Sequence, residues 1–134
     1  KAHLDLRFDV LREGLPRGTE HYPGIDEDPR TTFLCAYENG ELIGCSTLQV
    51  DRREGCNFRI RGMAVRPKHR NKGVGSKIVK GLQDFARSQG SGIWCNARIK
   101  AVPMYERCGF VIISDLFEIE GIGLHHDMQW KLSD

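Results

Sequence analysis

The sequence predicts a single α/β domain of the α+β kind, a mixed and mostly antiparallel twisted sheet with helices on both faces. Three observations carry this. An Asn39-Gly40 pair sits between two apolar runs, the apolar period changes from strand-like to helical near residue 74, and strand-like runs return after residue 92. A length of 134 residues suits one domain spanning 1–134, large enough to bury a core without disulfides or metal.

The elements follow in order. Leu4, Leu6, Val10, Leu11 and Leu15 recur at helical spacing, and Pro16–Gly18 ends that pattern. Residues 16–31 hold Pro, Gly and many charges and read as a loop. Thr32–Tyr37 is a strand, Glu38–Glu41 a hairpin turn, and Leu42–Val50 the partner strand. Asp51–Gly55 reads as a polar turn and Asn57–Val65 as a third strand, closed by Pro67. Val74, Ile78, Leu82, Phe85 and Ala86 then share one helical face, with Lys77, Lys80, Asp84 and Arg87 on the other. Ser88–Gly92 stops this helix, and Ile93–Ile99 is a short strand. Val102–Cys108 is a short helix with Pro103 in its first turn and Gly109 past its end. Phe110–Ile119 and Leu124–Leu132 are two further strands around Gly121–Gly123.

Composition narrows the function. Twenty Lys and Arg face eighteen Asp and Glu, a net charge of +2, and the acids are spread among the bases. That balance argues against a nucleic-acid binder. No apolar run approaches the roughly 20 residues of a membrane span. The chain opens at Lys1 without Met and reads as a trimmed segment. Cys35, Cys45, Cys56, Cys95 and Cys108 are scattered, odd in number and without C-x-x-C spacing. They read as reduced cysteines, mostly buried, in a cytoplasmic protein.

The most informative stretch is Arg70-Asn71-Lys72-Gly73-Val74-Gly75-Ser76, between a strand and a helix. A helix N-terminus offers unpaired N–H groups and partial positive charge, and glycines let backbone approach an anion, so this is a pyrophosphate cradle. It departs from G-x-G-x-x-G, because Ile78 stands where the third glycine would be, and from the P-loop spacing.

Alternation gives the faces of the central strands. Arg59 and Arg61 lie opposite Phe58 and Ile60. Trp94, Asn96 and Arg98 lie opposite Ile93, Cys95, Ala97 and Ile99. An arginine on a central strand either pairs with an acid or lines a cleft, and Arg61 with Arg98 in one region points to an anion site. Of the adjacent histidines, His126 shares a face with Met128 and Trp130 and reads as the packed one. His125 shares the polar face of Asp127 and Gln129. A His-His-Asp metal site is set aside, since neighbouring strand side chains diverge, and no metal is expected. Tyr105 reads as a half-buried aromatic.

Arg70-x-x-Gly73-x-Gly75 between strand and helix resembles the acetyl-CoA signature of GNAT-type N-acetyltransferases. The chain matches that family's element order from its first helix to its last strand, with the family's own first strand falling before Lys1. Further motifs resemble the glyphosate N-acetyltransferase group within it. They are Leu6-Arg7-x-x-Val10-Leu11-Arg12, Arg61-Gly62-Met63-Ala64, Trp94-Cys95-Asn96-Ala97-Arg98, Tyr105-x-x-x-Gly109-Phe110 and Gly123-x-His125-x-x-Met128.

The resemblance implies an acetyl-CoA-dependent N-acetyltransferase. Arg12, Arg61 and Arg98 would hold an anionic acceptor, and His125 would be the catalytic base. Tyr105 would protonate the departing thiolate. Met63, Ala64 and Val65 would bind the pantetheine arm and polarise the thioester carbonyl through backbone groups. Asn96 would lie near the cofactor, and Arg70, Asn71, Lys72, Gly73, Val74, Gly75 and Ser76 would hold the pyrophosphate. The family also allows a homodimer. The alternatives are a different amine acceptor (amino sugar, polyamine or protein amine) and a non-catalytic acyl-CoA-sensing domain.

Overall fold

The computed structural model describes residues 28–132. The helix expected over 4–15, most of the following loop and Arg12 lie outside them. The described elements are β1 (Thr32–Glu38), β2 (Glu41–Arg53), β3 (Cys56–Val65), a 3₁₀ turn (Pro67–His69), α1 (Val74–Ser88), β4 (Gly92–Arg98), a 3₁₀ turn (Ile99–Ala101), α2 (Val102–Arg107), β5 (Val111–Ile112), β6 (Phe117–Ile119) and β7 (Gly123–Trp130). The strands form one seven-stranded sheet in the order β1-β2-β3-β4-β7-β5, with β6 also on β7. Only β3 and β4 pair in parallel, joined across α1; the other pairings are antiparallel.

Two tight turns set the register of the first three strands. Asn39 and Gly40 have φ of 50° and 80°, and Glu54 and Gly55 have 47° and 87°. Positive φ at both central residues gives the turn twist that matches paired strands. The second turn corrects the expectation of a polar loop over Asp51–Gly55: β2 runs on to Arg53, and the turn is only Glu54-Gly55. Polar residues at 51 and 53 are tolerated in the strand because they lie on a face that neither described helix covers.

The helices cover the other face. Leu48, Ile60, Ile93, Cys95, Ala97 and Met128 from the sheet meet Ile78, Val79 and Leu82 from α1 and Val102 and Tyr105 from α2. The predicted alternation holds, with Phe58 and Ile60 inward and Arg59 and Arg61 on the opposite face. Ile99 departs from it, lying in a 3₁₀ turn and exposed rather than ending β4.

A second correction concerns 110–119. In place of one strand there are β5 and β6, separated at residues 113–116. The backbone of Asp127 on β7 is served across that gap. Its carbonyl accepts from the Ile113 N–H at 2.8 Å, and its N–H donates to Ser114 Oγ at 2.8 Å. Phe110 belongs to the core but precedes the strand.

Two glycines separate tolerable from intolerable crowding. A Cβ on Gly92 would meet the Trp130 carbonyl oxygen at 2.3 Å, whereas one on Gly81 would meet only the end of the Leu34 side chain at 2.6 Å. Gly92→Ala is expected to cost about 1–3 kcal/mol in urea unfolding, because backbone must shift. Gly81→Ala should stay within about 1 kcal/mol of wild type, since Leu34 can turn and alanine favours the helix.

Candidate functional site

The site begins where two central strands part. β3 and β4 pair only from Cys56/Gly92 to Ile60/Cys95, yet β3 continues to Val65 and β4 to Arg98. Beyond the last pair the strands diverge and leave a cleft of about 260 Å³. The same stretch of β3 carries a bulge. Thr47 pairs with Arg61 and Cys45 with Ala64, so three steps on β3 answer two on β2. Gly62, at φ 64°, takes the turn. A bulge takes a residue out of the ladder, and here it does so beside Met63, which lines the cleft.

Arg59, Arg61, Asn96, Arg98, Tyr105 and His125 line the cleft together, and among the described residues no Asp or Glu lines it. The structure thus brings together Arg61, Arg98, Asn96, Met63, Tyr105 and His125 from the sequence reading. Alternation explains most of this. Arg98 and His125 are register partners on β4 and β7, and Asn96 is opposite Asp127.

His125 is the buried histidine, only 3% exposed, while His126 is half-buried. This reverses the burial expected from the side-chain pattern. The reason is local. The His125 ring stacks on Phe117 of β6, with centroids 5.9 Å apart, so the polar face is roofed at this point. His125 Nδ1 lies 2.7 Å from the Gly123 carbonyl oxygen. A carbonyl only accepts, so Nδ1 carries the hydrogen and Nε2 is the basic nitrogen of the neutral ring. Gly123 reaches this position at φ 124°, a conformation that side chains disfavour.

Tyr105 is 4% exposed and packs edge-on against Phe110 at 5.2 Å. Burial pushes its phenol pKa well above the ordinary value, reinforced by the thiols of Cys95 and Cys108. It therefore stays protonated through and beyond neutral pH. Cys95 lies on the helix side of β4, and burial raises its thiol pKa strongly, with a further rise from Asp127.

A frame of charges stands at the closed end of the cleft. Arg53 and Arg59 stack on Trp94, with guanidinium carbons 5.0 and 4.6 Å from its ring centroid. Arg59 pairs with Asp51 at 3.4 Å and donates to Asn96 Oδ1, Asn96 donates in turn to Asp127, and Arg53 pairs with the same carboxylate. The sequence reading placed Arg59 on this face without a role and missed Asp51 and Asp127. The signal was available, because period-two alternation puts Asp51 with Arg53 and Asp127 with His125.

The loop ahead of α1 fits a phosphate-bearing group. Gly73 caps the helix at φ 79° with no side-chain hydrogen bond, and the first turn holds no acid. Space for close approach exists at Gly75, where an added Cβ would find its nearest atoms at 3.8 and 3.9 Å. Arg70 and Lys72 are exposed beside it. Val65 and Met104 both border Gly75, so this helix end stands next to the open end of β3 and to α2.

The chain belongs to the Acetyltransferase (GNAT) family, whose model matches residues 3–110. It is 34% identical over 97 residues to YitI of Bacillus subtilis (strain 168), an uncharacterized N-acetyltransferase, covering 69% of this chain and 65% of that one. It is 31% identical over 102 residues to streptothricin acetyltransferase of Streptomyces lavendulae, covering 73% of this chain and 53% of the relative. The matches thus span less than two thirds of these relatives' lengths. Among solved structures, an aminoglycoside 6'-N-acetyltransferase complexed with coenzyme A superposes with a TM-score of 0.78 at 14% identity, covering 97% of this chain and 88% of that one.

The raised Tyr105 pKa has a thermodynamic consequence. The folded state keeps the proton that the unfolded chain loses near pH 10, so this residue's contribution to stability falls as pH rises beyond that value. The urea midpoint of the wild type is expected to drop more steeply between pH 9 and pH 11 than that of Tyr105→Phe.

Proposed function

We propose that this domain is an N-acetyltransferase that moves an acetyl group from acetyl-CoA to the amine of a small anionic acceptor, of amino-acid or phosphonate type. One observation carries the reading: a single cleft holds three arginines, a tautomerically fixed histidine and a buried, protonated tyrosine, with no acid among its described lining residues. The motif-level resemblance to the glyphosate N-acetyltransferase group supports the same acceptor class.

In this reading the N–H groups of Gly73–Ser76 and the side chains of Arg70 and Lys72 hold the pyrophosphate. Backbone groups of Met63, Ala64 and Val65, freed in part by the bulge, face the pantetheine arm and the thioester carbonyl. Bound acetyl-CoA supplies an activated thioester, which the acceptor amine attacks directly with loss of CoA. His125 Nε2 takes the proton from the acceptor's ammonium group, and the Gly123 carbonyl keeps the ring in the tautomer that can do so. Tyr105 Oη donates a proton to the leaving thiolate. Arg61 and Arg98 bind the acceptor's anion through their forked donors. Arg12, outside the described residues, is the third cation of this proposal. Acidic-acceptor preference separates this reading from polyamine acetylation, which a cationic cleft opposes.

The direct test is release of free CoA from acetyl-CoA across anionic amino acids, aminophosphonates, amino sugars and polyamines. Turnover on the anionic amines is expected. His125→Ala should lower kcat by about 10²- to 10⁴-fold, the usual worth of a general base. Turnover confined to neutral or cationic amines would remove the acceptor assignment. Gly123→Ala should reduce kcat more than it reduces acetyl-CoA affinity, because it moves the carbonyl that orients His125 rather than the phosphate loop.

A further inference from the structure

We infer that Arg59 is a specificity-determining residue at the closed end of the cleft, and that it selects acceptors bearing a second anionic group away from the reacting amine. The inference rests on the anionic-acceptor reading and deepens it.

The register separates the cations. Arg59 is level with Trp94 on β4, while Arg98 is level with His125 on β7. Those two levels are four residues apart on β4, about 13 Å of strand, and the Arg59 guanidinium, bonded to Asn96, ends two residues, about 7 Å, short of Arg98. His125 and Tyr105 mark the open half, where chemistry takes place in the proposed reading. Arg59 stands at the last paired rungs of β3 and β4, where the cleft closes.

Arg59 cannot swing to join the others. Its guanidinium lies on the Trp94 ring, is hydrogen-bonded to Asn96 and is ion-paired with Asp51. Trp94 is held in turn by its Nε1–H, which donates to the Asp51 carbonyl at 2.7 Å. Arg53 also stacks on the indole and closes the frame through Asp127. The frame is balanced in charge, two arginines against two aspartates, which holds Arg59 in a half-buried place without an uncompensated ion. Neither aspartate is among the cleft-lining residues, so the side presented to a ligand is the cation. One carboxylate held beside the amine at Arg61 and Arg98 does not extend to Arg59. A second anion, a few bonds further along the acceptor, reaches it. The chemical class is an α-amino acid with an acidic side chain, carboxylate or phosphonate.

The test compares kcat/KM for alanine with that for aspartate and glutamate, in wild type, Arg59→Gln and Arg59→Lys. The wild type should favour an acidic side chain. Arg59→Gln should cut that preference by about 10- to 100-fold, the worth of a charge-assisted hydrogen bond, and Arg59→Lys should restore it only in part. The ratio is measured within each variant, so a general loss of folded enzyme cancels. A wild type indifferent to the second carboxylate, or a preference unchanged in Arg59→Gln, would overturn the assignment of Arg59 alone. Wild-type turnover only on neutral or cationic amines would overturn the anionic-acceptor reading itself.

Discussion

Everything in the site depends on the parting of β3 and β4. A parallel pair in the middle of a sheet ordinarily stays paired along its length, because each unpaired N–H and C=O left in a dry interior is costly. Here pairing stops at Ile60 and Cys95 although both strands go on. The bulge at Gly62 turns β3 away from the regular ladder, and β4 turns to β7 instead, pairing from Ile93 as far as Arg98. The opening therefore exposes backbone and side chains of two central strands at the heart of the sheet. A loop-built cleft would be wider and softer. This one takes its shape from strands that are braced on both outer sides.

The sheet divides labour between its faces. The helix side is apolar and gathers Leu48, Ile60, Val79, Leu82, Ile93 and Met128 into one core. The other side carries the charges of β2, β3, β4 and β7. Because side chains alternate, each central strand serves both tasks at once: Ile60 packs while Arg59 and Arg61 face the cleft, and Cys95 packs while Asn96 faces it. A one-residue slip in either strand would place arginines in the core, so the packing that stabilises the fold also enforces the register of the site.

Much of this was legible in the sequence. The Asn39-Gly40 turn, the amphipathic α1, and the faces of β3 and β4 follow from turn chemistry and period. So does the grouping of Arg61, Arg98 and Asn96 on one side. What was not legible has physical causes. Asp51 and Arg53 look like turn residues because period alone cannot say that the described helices lie on the opposite face. The gap between β5 and β6 is masked by an apolar run, Val111 to Ile113 followed by Phe117 to Ile119, which reads as continuous. The burial of His125 depends on Phe117 folding over it, a contact between strands that no local pattern encodes. Gly62 was the one local sign of the bulge, since glycine within a strand marks such sites.

The arrangement also bears on which of two chemical routes the proposed reaction takes. A cysteine inside an acyltransferase invites an acyl-enzyme, and Cys95 is on the strand that lines the cleft. Alternation nevertheless turns its sulfur to the helix side, where it is 1% exposed. Burial there holds the thiol protonated far above neutral pH, whereas a nucleophilic cysteine needs the opposite shift and a base within reach. His125 belongs to the opposite face, with its Nδ1 committed to the Gly123 carbonyl. The same burial that keeps the Cys95 thiol protonated keeps the Tyr105 phenol protonated too. In the proposed reaction an apolar interior therefore works against the covalent route and favours direct attack by the positioned amine.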